Sequence, residues 1–296
     1  MDNFRGAVLM VLAMLGFAIE DSFIKLMGDA LPVGQILTLL GMGGAAVFAV
    51  VVLAQKRALF ERAMLAGPVL TRAVGEIVGT VCFISAIVFT PLSTASAILQ
   101  ATPLVVTLGA ALFLGETVGW RRWAAIAVGF MGVLMIIRPG LDGFSPLSLF
   151  ALGGVFGLAL RDISTRKISA NLSTMQLSFL GFLVLIPAGV VMLLVTGQPL
   201  APMDMRLAGL MIASISIGVF AYYGIVAAMR VGEVSFVTPF RYSRLIFAMI
   251  IGVSFFGERP DGYTLLGGAI IVASGIYTVW RERKQGLRVT SKPSKV

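Results

Sequence analysis

The chain has 296 residues, of which 58% are hydrophobic and 12% are charged, and its mean hydropathy is +0.98. Soluble globular proteins carry about twice that share of charged residues, roughly 25%. The sequence has no histidine, which excludes Ser-His-Asp triads and histidine-bearing zinc sites, and its one cysteine, Cys82, excludes a disulfide framework. The composition predicts a surface that mostly faces lipid. Basic cytoplasmic loops then explain the net charge of +9, and no nucleic-acid partner is expected.

Ten stretches of the sequence are long and apolar enough to cross a membrane as helices, which takes about 20 apolar residues each. The first stretch carries Glu20 and Asp21, and no signal-peptide cleavage site follows it, so a permanent helix is predicted there. The connections are too short to hold a soluble domain. The ten predicted spans lie at about residues 6–27, 32–54, 67–89, 94–114, 121–138, 146–165, 174–196, 207–229, 234–256 and 262–280.

The sequence repeats itself at an offset of 141 to 143 residues. The segment Gly16–Lys25 recurs as Gly157–Arg166, and Gly115-Glu116 recurs as Gly257-Glu258. Two homologous halves of five spans each, placed in one bilayer, must run in opposite directions because five is odd. The predicted fold is an all-α membrane protein of ten transmembrane helices, built as two inverted five-helix repeats. The predicted units are residues 1–141, residues 142–280 and a basic cytoplasmic tail of residues 281–296.

The distribution of basic residues predicts the orientation of the chain in the membrane. With the N-terminus in the cytoplasm, sixteen Lys and Arg residues lie at the cytoplasmic side and four lie outside. Cytoplasmic loops of membrane proteins carry such an excess of Lys and Arg. We therefore expect a multi-pass protein of the bacterial inner membrane with both termini in the cytoplasm.

The motifs of the two halves resemble those of the EamA branch of the drug/metabolite transporter superfamily. The resemblance rests on Pro103 and Gly115-Glu116 in the first half and on Gly257-Glu258 in the second, and it covers about residues 6–280. It implies two inverted five-helix repeats that move a small metabolite by alternating access. The position that matches Pro103 is Leu245, and the nearest proline is Pro239, so any helix break in the ninth span is expected to be displaced.

Charged side chains inside the predicted spans are the best pointers to function, because each costs about 2.5–3.5 kcal/mol at the bilayer centre. Arg72 and Glu76 lie four residues apart in the third span, where they either form an ion pair that permits insertion or place Glu76 in the cavity as a solute ligand or proton carrier. Arg241 and Arg244 share a face of the ninth span. They either reach the transport cavity or pair with Glu76 and Glu233.

Charged residues also close the first and sixth spans at equivalent positions of the repeat. Asp21 and Lys25 match Asp162 and Arg166. One interpretation is that each acid pairs with the base four residues further on, near the headgroups. The alternative is a pair of gates, one at each face of the membrane.

Several uncharged polar residues complete the candidate site. Pro103 is expected to bend the fourth span and to leave a backbone carbonyl free for a ligand, and Gln100 is expected to face inward. Tyr223 and Tyr242 either stack on a planar solute or serve as packing residues, and the same holds for Tyr222. No metal site and no cofactor are predicted.

The predicted function is secondary transport of a small solute, because the sequence has no nucleotide-binding P-loop motif. A membrane-embedded enzyme and a scaffold without transport are the alternatives. The arginines suggest a solute with an anionic or hydrogen-bonding part, and the tyrosines suggest a flat part. The chain looks more like bacterial EamA members that take up riboflavin or nucleoside-like metabolites than like those that export aromatic amino acids. Export of amino acids is the alternative. The solute is expected to be held by Arg244, Gln100 and Glu76. If the transport cycle is driven by an ion, protons are the expected coupling ion.

Overall fold

The computed structural model describes residues 2–113, 119–141, 144–168, 171–231 and 234–290. Every regular element in these ranges is helical. The α-helices are α1 Asn3–Gly28, α2 Val33–Ala54, α3 Gly67–Phe89, α4 Leu92–Leu99, α5 Thr102–Phe113, α6 Trp120–Ile137, α7 Ser148–Thr165, α8 Thr174–Thr196, α9 Met205–Val231, α10 Val234–Val237, α11 Ser243–Phe256 and α12 Gly262–Thr290. Two short 3₁₀ helices cover Arg62–Leu65 and Thr238–Tyr242.

Ten helical stretches of the described chain are long and apolar enough to cross a membrane, as the sequence predicts. Helices α4 and α5 together form the fourth span, Leu92–Phe113, and the 3₁₀ segment with α11 forms the ninth, Thr238–Phe256. Helix α12 continues to Thr290, so the predicted tail begins as helix, and only its residues 291–296 lie outside the described part.

The spans alternate in direction and give the bundle two faces. The terminal face holds the start of α1 and the end of α9, where the Asp2 N–H donates to the Val231 carbonyl over 3.1 Å. The distal face holds the described parts of the loops that follow the odd-numbered spans, at residues 29–32, 90–91, 138–141, 144–147, 197–204 and 257–261. At the distal face the Gln35 side chain both donates to and accepts from the Ala201 backbone, over 2.9 and 2.8 Å.

The two halves interlock through antiparallel helix pairs: α1 packs on α9, α3 on α7, α2 on α8 and α6 on α12. Small residues allow the backbones to approach closely. A Cβ on Gly132 would lie 2.8 Å from the Gly267 carbonyl oxygen, and a Cβ on Gly267 would lie 2.6 Å from that of Gly132. The repeat relates α1 to α7 and α9 to α3, so the first two pairs are equivalent. The inverted repeat predicted from sequence is therefore visible in the packing.

Candidate functional site

The fourth span is broken near its middle. Helix α4 ends at Leu99, α5 begins at Thr102, and Pro103 lies in the first turn of α5. Proline has no N–H to donate to the carbonyl four residues earlier, which is that of Leu99. The Thr102 hydroxyl donates to this carbonyl instead, over 2.7 Å. The expectation that the break leaves a free carbonyl for a ligand is wrong at Leu99, because the neighbouring side chain occupies it.

The ninth span is distorted at the equivalent place. Residues Thr238–Tyr242 form a 3₁₀ turn with Pro239 near its start, and α11 continues from Ser243. At the repeat offset of 142, Tyr242 corresponds to Gln100. Both side chains are buried, with 4% and 7% of their surface exposed. The two halves therefore place one buried polar side chain each at corresponding breaks.

Arg244 forms an ion pair with Asp21 of α1. Its Nη2 donates to both carboxylate oxygens of Asp21 over 2.7 and 2.8 Å, and its Nε donates to Oδ2 over 3.1 Å. The guanidinium also lies over the rings of Phe17 and Phe83, at 5.1 and 5.3 Å from their centroids. Arg244 and Asp21 pair with each other across the two halves. The alternatives that paired Arg244 with Glu76 and Asp21 with Lys25 are therefore both wrong.

Glu76 lies between two arginines where α3 packs on α7. Its carboxylate is 3.4 Å from Arg72 Nη2, as the spacing of four residues predicts, and 3.3 Å from Arg161 Nη1. Arg161 Nε also donates to Asp162 over 2.9 Å, so Asp162 pairs with its neighbour. Arg166, its predicted partner, is the exposed C-cap of α7. This cluster ties the third span to the sixth.

Charged side chains of both halves lie inside the described bundle. They include four arginines and four carboxyl side chains, namely Arg72, Arg161, Arg241, Arg244, Glu20, Asp21, Glu76 and Asp162. Each of Arg72, Arg161 and Arg244 lies within 3.4 Å of a carboxylate oxygen. Most of these arginines are therefore already paired.

Equivalent positions of the repeat carry opposite charges. Glu20 of α1 corresponds to Arg161 of α7 at the offset of 141. A Cβ on Gly218 of α9 would lie 2.5 Å from the Glu20 carboxylate, and a Cβ on Gly75 of α3 would lie 2.5 Å from the Arg161 backbone nitrogen. The two residues therefore sit opposite equivalent glycines, one at each face of the bundle's interior.

Glu258 closes the distal face. It follows α11, and its carboxylate accepts hydrogen bonds from the N–H groups of Leu92 and Ser93 over 2.5 and 2.9 Å and from the Ser93 hydroxyl over 2.6 Å. A carboxylate at a helix N-terminus is also stabilised by the helix dipole. The second half is thereby fastened to the start of α4 in the first half. Glu116, its equivalent in the repeat, lies with Gly115 outside the described residues, as does Glu233.

Lys25 belongs to the same closure. Its ammonium donates to the carbonyls of Ile87 and Thr90 at the end of α3, over 3.1 and 2.7 Å, and lies 3.9 Å from Glu258. We name the group of Glu258, Ser93 and Lys25 the distal seal. It joins the first, third, fourth and ninth spans. The position of Lys25 thus agrees with a role at the distal face, although its partner is not Asp21.

Among the buried polar atoms that make no hydrogen bond within the described residues are the Gln100 amide nitrogen and the Tyr242 hydroxyl. The Nε and Nη1 atoms of Arg72 make none either. Tyr223 does not join them, because 67% of its surface is exposed on the outside of α9. Its neighbour Tyr222 turns inward and shares a hydrogen bond of 2.5 Å with Ser178. The prediction that Tyr223 contacts solute is therefore wrong.

The contacts that sequence reasoning missed are those between distant parts of the chain. The pairing of Asp21 with Arg244, that of Glu76 with Arg161 and the role of Ser93 all depend on which helices pack together. One signal was present in the repeat: Ser93 recurs as Ser235 at the same offset as Glu116 and Glu258. Among the residues that the structure describes, no cluster of three or more Cys, Asp and Glu side chains is arranged to hold a metal ion.

Comparison with known proteins gives the same architecture. The chain matches the EamA-like transporter family twice, over residues 4–138 and 146–280. It also superposes on a solved crystal structure with a TM-score of 0.59, over 91% of this chain and 98% of that chain, at 18% sequence identity. This second likeness shows the fold alone.

Three similar proteins carry names that describe transport. A riboflavin transporter of Vibrio cholerae is 30% identical over 286 residues, which is 95% of each chain. An S-adenosylmethionine uptake transporter of Rickettsia prowazekii is 27% identical over 66% of this chain and 65% of its own. The pseudopaline exporter CntI of Pseudomonas aeruginosa is 27% identical over 92% of this chain and 94% of its own. The two matched repeats and these relatives show that the chain is a membrane transporter of small molecules, not an enzyme, and that it belongs to the EamA-like transporter family.

Proposed function

We propose that this transporter takes up riboflavin or a similar neutral, planar, nucleoside-like solute. The observation that supports this most is the likeness to the riboflavin transporter of Vibrio cholerae, which extends over 95% of both chains. The matches to the S-adenosylmethionine uptake transporters cover about two thirds of the chain and support uptake of a solute with a nucleoside part.

The ion pairs of the interior favour a solute without net charge. Arg244 is already neutralised by Asp21, and Glu76 lies between two arginines. An anionic solute would have to break one of these pairs, which leaves a buried charge without its partner at high cost. Riboflavin is neutral at pH 7, whereas S-adenosylmethionine carries a permanent sulfonium charge. Of the two alternatives that the arginines suggest, an anionic or a hydrogen-bonding part of the solute, we therefore propose the hydrogen-bonding one.

The solute is proposed to bind where the two broken spans face each other. Gln100 and Tyr242 bring unused buried hydrogen-bonding groups to this level, and Arg72 has two more unused N–H groups nearer the terminal face. A flavin ring offers carbonyl oxygens and ring nitrogens that accept such bonds, and a flat face that packs on the Tyr242 ring. Arg241 lies one residue before Tyr242 and is a further donor for the solute.

The transport cycle is proposed to be alternating access between the two inverted halves. In this structure the distal seal fastens the halves together at the distal face. With both termini in the cytoplasm of a bacterium, the distal face is the periplasmic side of the inner membrane, and uptake begins when this seal opens. Asp162 and Arg166 end α7 at the opposite face and are proposed to take part in the corresponding closure there.

Growth of a riboflavin-auxotrophic bacterium that expresses the chain tests substrate and direction together. We expect growth at external riboflavin concentrations too low for the host alone. Tyr242→Phe removes the buried hydroxyl and should raise the required concentration, whereas the matched control Tyr223→Phe alters an exposed ring and should not. Absence of growth with well-expressed wild-type protein would contradict riboflavin uptake, and uptake of labelled S-adenosylmethionine would then be measured.

Export is the second candidate function, because the pseudopaline exporter CntI is similar over 92% of this chain. For this direction the expected solute is an amino acid or a related metabolite. Cells preloaded with labelled amino acids distinguish the two directions. Faster efflux from expressing cells, without riboflavin-dependent growth, would support export over uptake.

A further inference from the structure

Of the four carboxyl side chains inside the bundle, Glu20 alone makes no ion pair and no hydrogen bond with the residues that the structure describes. The other three are paired, Asp21 with Arg244, Glu76 with Arg72 and Arg161, and Asp162 with Arg161. Glu20 faces the segment of α9 around Gly218, and both helices are described throughout this region. A negative charge at Glu20 would therefore have no counter-charge in contact with it in the described bundle.

The carboxyl group of Glu20 lies directly on the backbone of α9. A Cβ on Gly218 would lie 2.5 Å from Oε1 and 2.9 Å from Oε2, so a larger side chain would displace the carboxyl group. The two helices are also close on the terminal side of this contact, where a Cβ on Gly16 would lie 3.0 Å from the Cβ of Ala221. Glu20 precedes the end of α1 at Gly28 by about 12 Å along the helix, so it lies inside the first membrane span.

The charged groups nearest to Glu20 do not compensate it. Asp21 and Arg244 lie within its electrostatic range, but they pair with each other through Arg244 Nη2 and Nε. On α9 the titratable side chain nearest in sequence to the contact is Tyr222, one turn away, and its hydroxyl shares a hydrogen bond with Ser178. Helices α2 and α4, which also contact α1, carry no titratable side chain.

The other basic side chains of α1 and of its neighbours are engaged elsewhere. Lys25 binds carbonyls at the end of α3 as part of the distal seal. Arg72 pairs with Glu76. Arg241 has Asp162 within electrostatic range, on the side of α7. None of these groups reaches the Glu20 carboxyl group in this arrangement.

A neutral carboxyl group suits these surroundings better than an ionised one. An ionised carboxylate inside a membrane needs a cation or water as its partner, whereas a protonated carboxyl group carries no charge. A metal cation would need several oxygen ligands, and Glu20 lies against a glycine backbone that offers no side-chain oxygen. The ligand that this site fits is therefore a single proton.

We propose that Glu20 binds the proton that drives uptake. One oxygen of its carboxylate takes a proton from the distal side while the distal seal is open, and the neutral side chain then lets α1 lie against α9 as it does here. When the terminal face opens, water reaches Glu20 and takes the proton as hydronium, which restores the carboxylate. The coupling to solute rests on the proposed uptake function, whereas the proton site itself does not.

Infrared spectroscopy of the purified protein in lipid vesicles tests the proton site without any solute. The C=O stretch of a protonated carboxyl group is separate from the carboxylate bands and shifts in D₂O. Exposed carboxyl groups, with pKa values of about 4, are ionised at neutral pH and do not contribute. We expect a protonated-carboxyl band in the wild type at neutral pH and its loss in Glu20→Gln. Glu76→Gln should keep the band, because two arginines already compensate Glu76.

Two further variants make the infrared result specific. Glu20→Asp keeps a carboxyl group and should show the band at an altered frequency, even if Glu20→Gln folds poorly. Asp29→Asn removes an exposed carboxyl group at the end of the same helix and should leave the band unchanged. Absence of the band in the wild type would overturn the proposal. A band that is identical in the wild type and both Glu20 variants would also overturn it, because another residue would then hold the proton.

Uptake of riboflavin into proteoliposomes tests the coupling. With an imposed pH gradient we expect the wild type and Asp29→Asn to accumulate riboflavin, by about tenfold per proton for one unit of pH. Glu20→Gln should only equilibrate it, and a sodium gradient should drive no accumulation in any variant. Gradient-driven accumulation by Glu20→Gln would overturn the coupling role. If the wild type moves no riboflavin at all, the proposed function fails, while the infrared spectra still decide whether Glu20 holds a proton.

Discussion

Arg244 and Asp21 lie 223 positions apart in the chain and meet in a bidentate ion pair that joins α11 to α1. The side chain of Asp21 is only 3% exposed, and that of Arg244 is 17% exposed. Removal of one member of a buried pair leaves the other charge without compensation, whereas joint removal of both charges does not. The pair therefore couples the two halves of the transporter.

Arg244→Ala is expected to destabilise the folded protein by about 3–5 kcal/mol, because Asp21 remains buried as an unpaired charge. The double variant Asp21→Asn with Arg244→Gln should recover most of this loss. Thermal unfolding in detergent, followed by circular dichroism, measures both effects. Arg206→Ala is the control for loss of an exposed arginine and should leave the melting temperature unchanged. Equal losses in the single and double variants would show that the ion pair does not cause the effect.

The close packing of α3 on α7 predicts a steric effect at Gly157. A Cβ at this position would clash with the Gly79 backbone and would lie 2.9 Å from the Val78 carbonyl carbon. Gly157→Ala should therefore lower the melting temperature and the yield of folded protein. Gly209→Ala is a matched control in helix α9, where a Cβ meets nothing within 4 Å, and should be neutral or stabilising by up to about 1 kcal/mol. Similar stability of the two variants would contradict this packing.

Much of the fold could be predicted from the sequence, because the information lies in local patterns. Each span is a long apolar run, and the segment Gly16–Lys25 with its repeat at Gly157–Arg166 indicates the inversion. The partners of the charged residues could not be predicted in this way. Asp21 and Lys25 have the spacing of an intrahelical pair, yet each finds a partner on another helix, since tertiary packing brings stronger partners within reach.

Only part of the candidate site could be predicted from the sequence. Buried positions such as Gln100 follow from the cost of exposing polar groups to lipid, and the structure places this residue in the interior. Tyr223 and its neighbour Tyr222 are indistinguishable by composition alone. They differ by about 100° around α9, so one faces the interior and the other faces outward.

The distal seal predicts a change in accessibility when Glu258 is altered. Ser96 lies one turn below Ser93 on α4 and is fully buried. In a Cys82→Ser background, Ser96→Cys should be protected from a membrane-impermeant thiol reagent, and Glu258→Gln should increase its labelling rate because the charge at the α4 N-terminus is lost. Asp29→Cys is exposed at the same face and should react equally in both backgrounds. An unchanged labelling rate at Ser96→Cys would argue against a seal at Glu258.

If Glu76 carries the coupling proton, Glu76→Gln should lose the accumulation of solute that a pH gradient drives. The amide oxygen still accepts a hydrogen bond from Arg161, but the side chain has no acidic proton to exchange. We expect the variant to bind solute and to equilibrate it without accumulation, whereas one unit of pH difference lets the wild type accumulate about tenfold per proton. Uptake into proteoliposomes with an imposed pH gradient measures this. Asp204→Asn, at an exposed carboxyl of the distal face, is the control. Unchanged pH dependence in Glu76→Gln would remove Glu76 from this role.

Asp261 lies outside the membrane spans, and we expect its contribution to the stability of the folded protein to depend on pH. Burial raises the pKa of Asp261, but the Thr264 N–H and the Arg138 guanidinium outweigh it and hold the pKa below its usual value. A lowered pKa contributes stability above the unfolded pKa, about 3.9, and this is lost as the pH falls through the folded value. The small advantage of wild type over Asp261→Asn should therefore be constant near neutral pH and shrink below about pH 4. An advantage that grows on acidification would contradict this sign.

The opposite charges of Glu20 and Arg161 have a consequence for the resting protein. With two identical halves, a two-fold rotation would convert the inward-open form into the outward-open form, so the two forms would have equal energy and an empty carrier would spend half its time in each. With a carboxyl on one side of the duplication and a guanidinium on the other, the two forms differ in energy. The empty carrier consequently populates one of the two forms more than the other between turnovers. Solute that arrives at the side to which this form opens meets mostly molecules that can bind it.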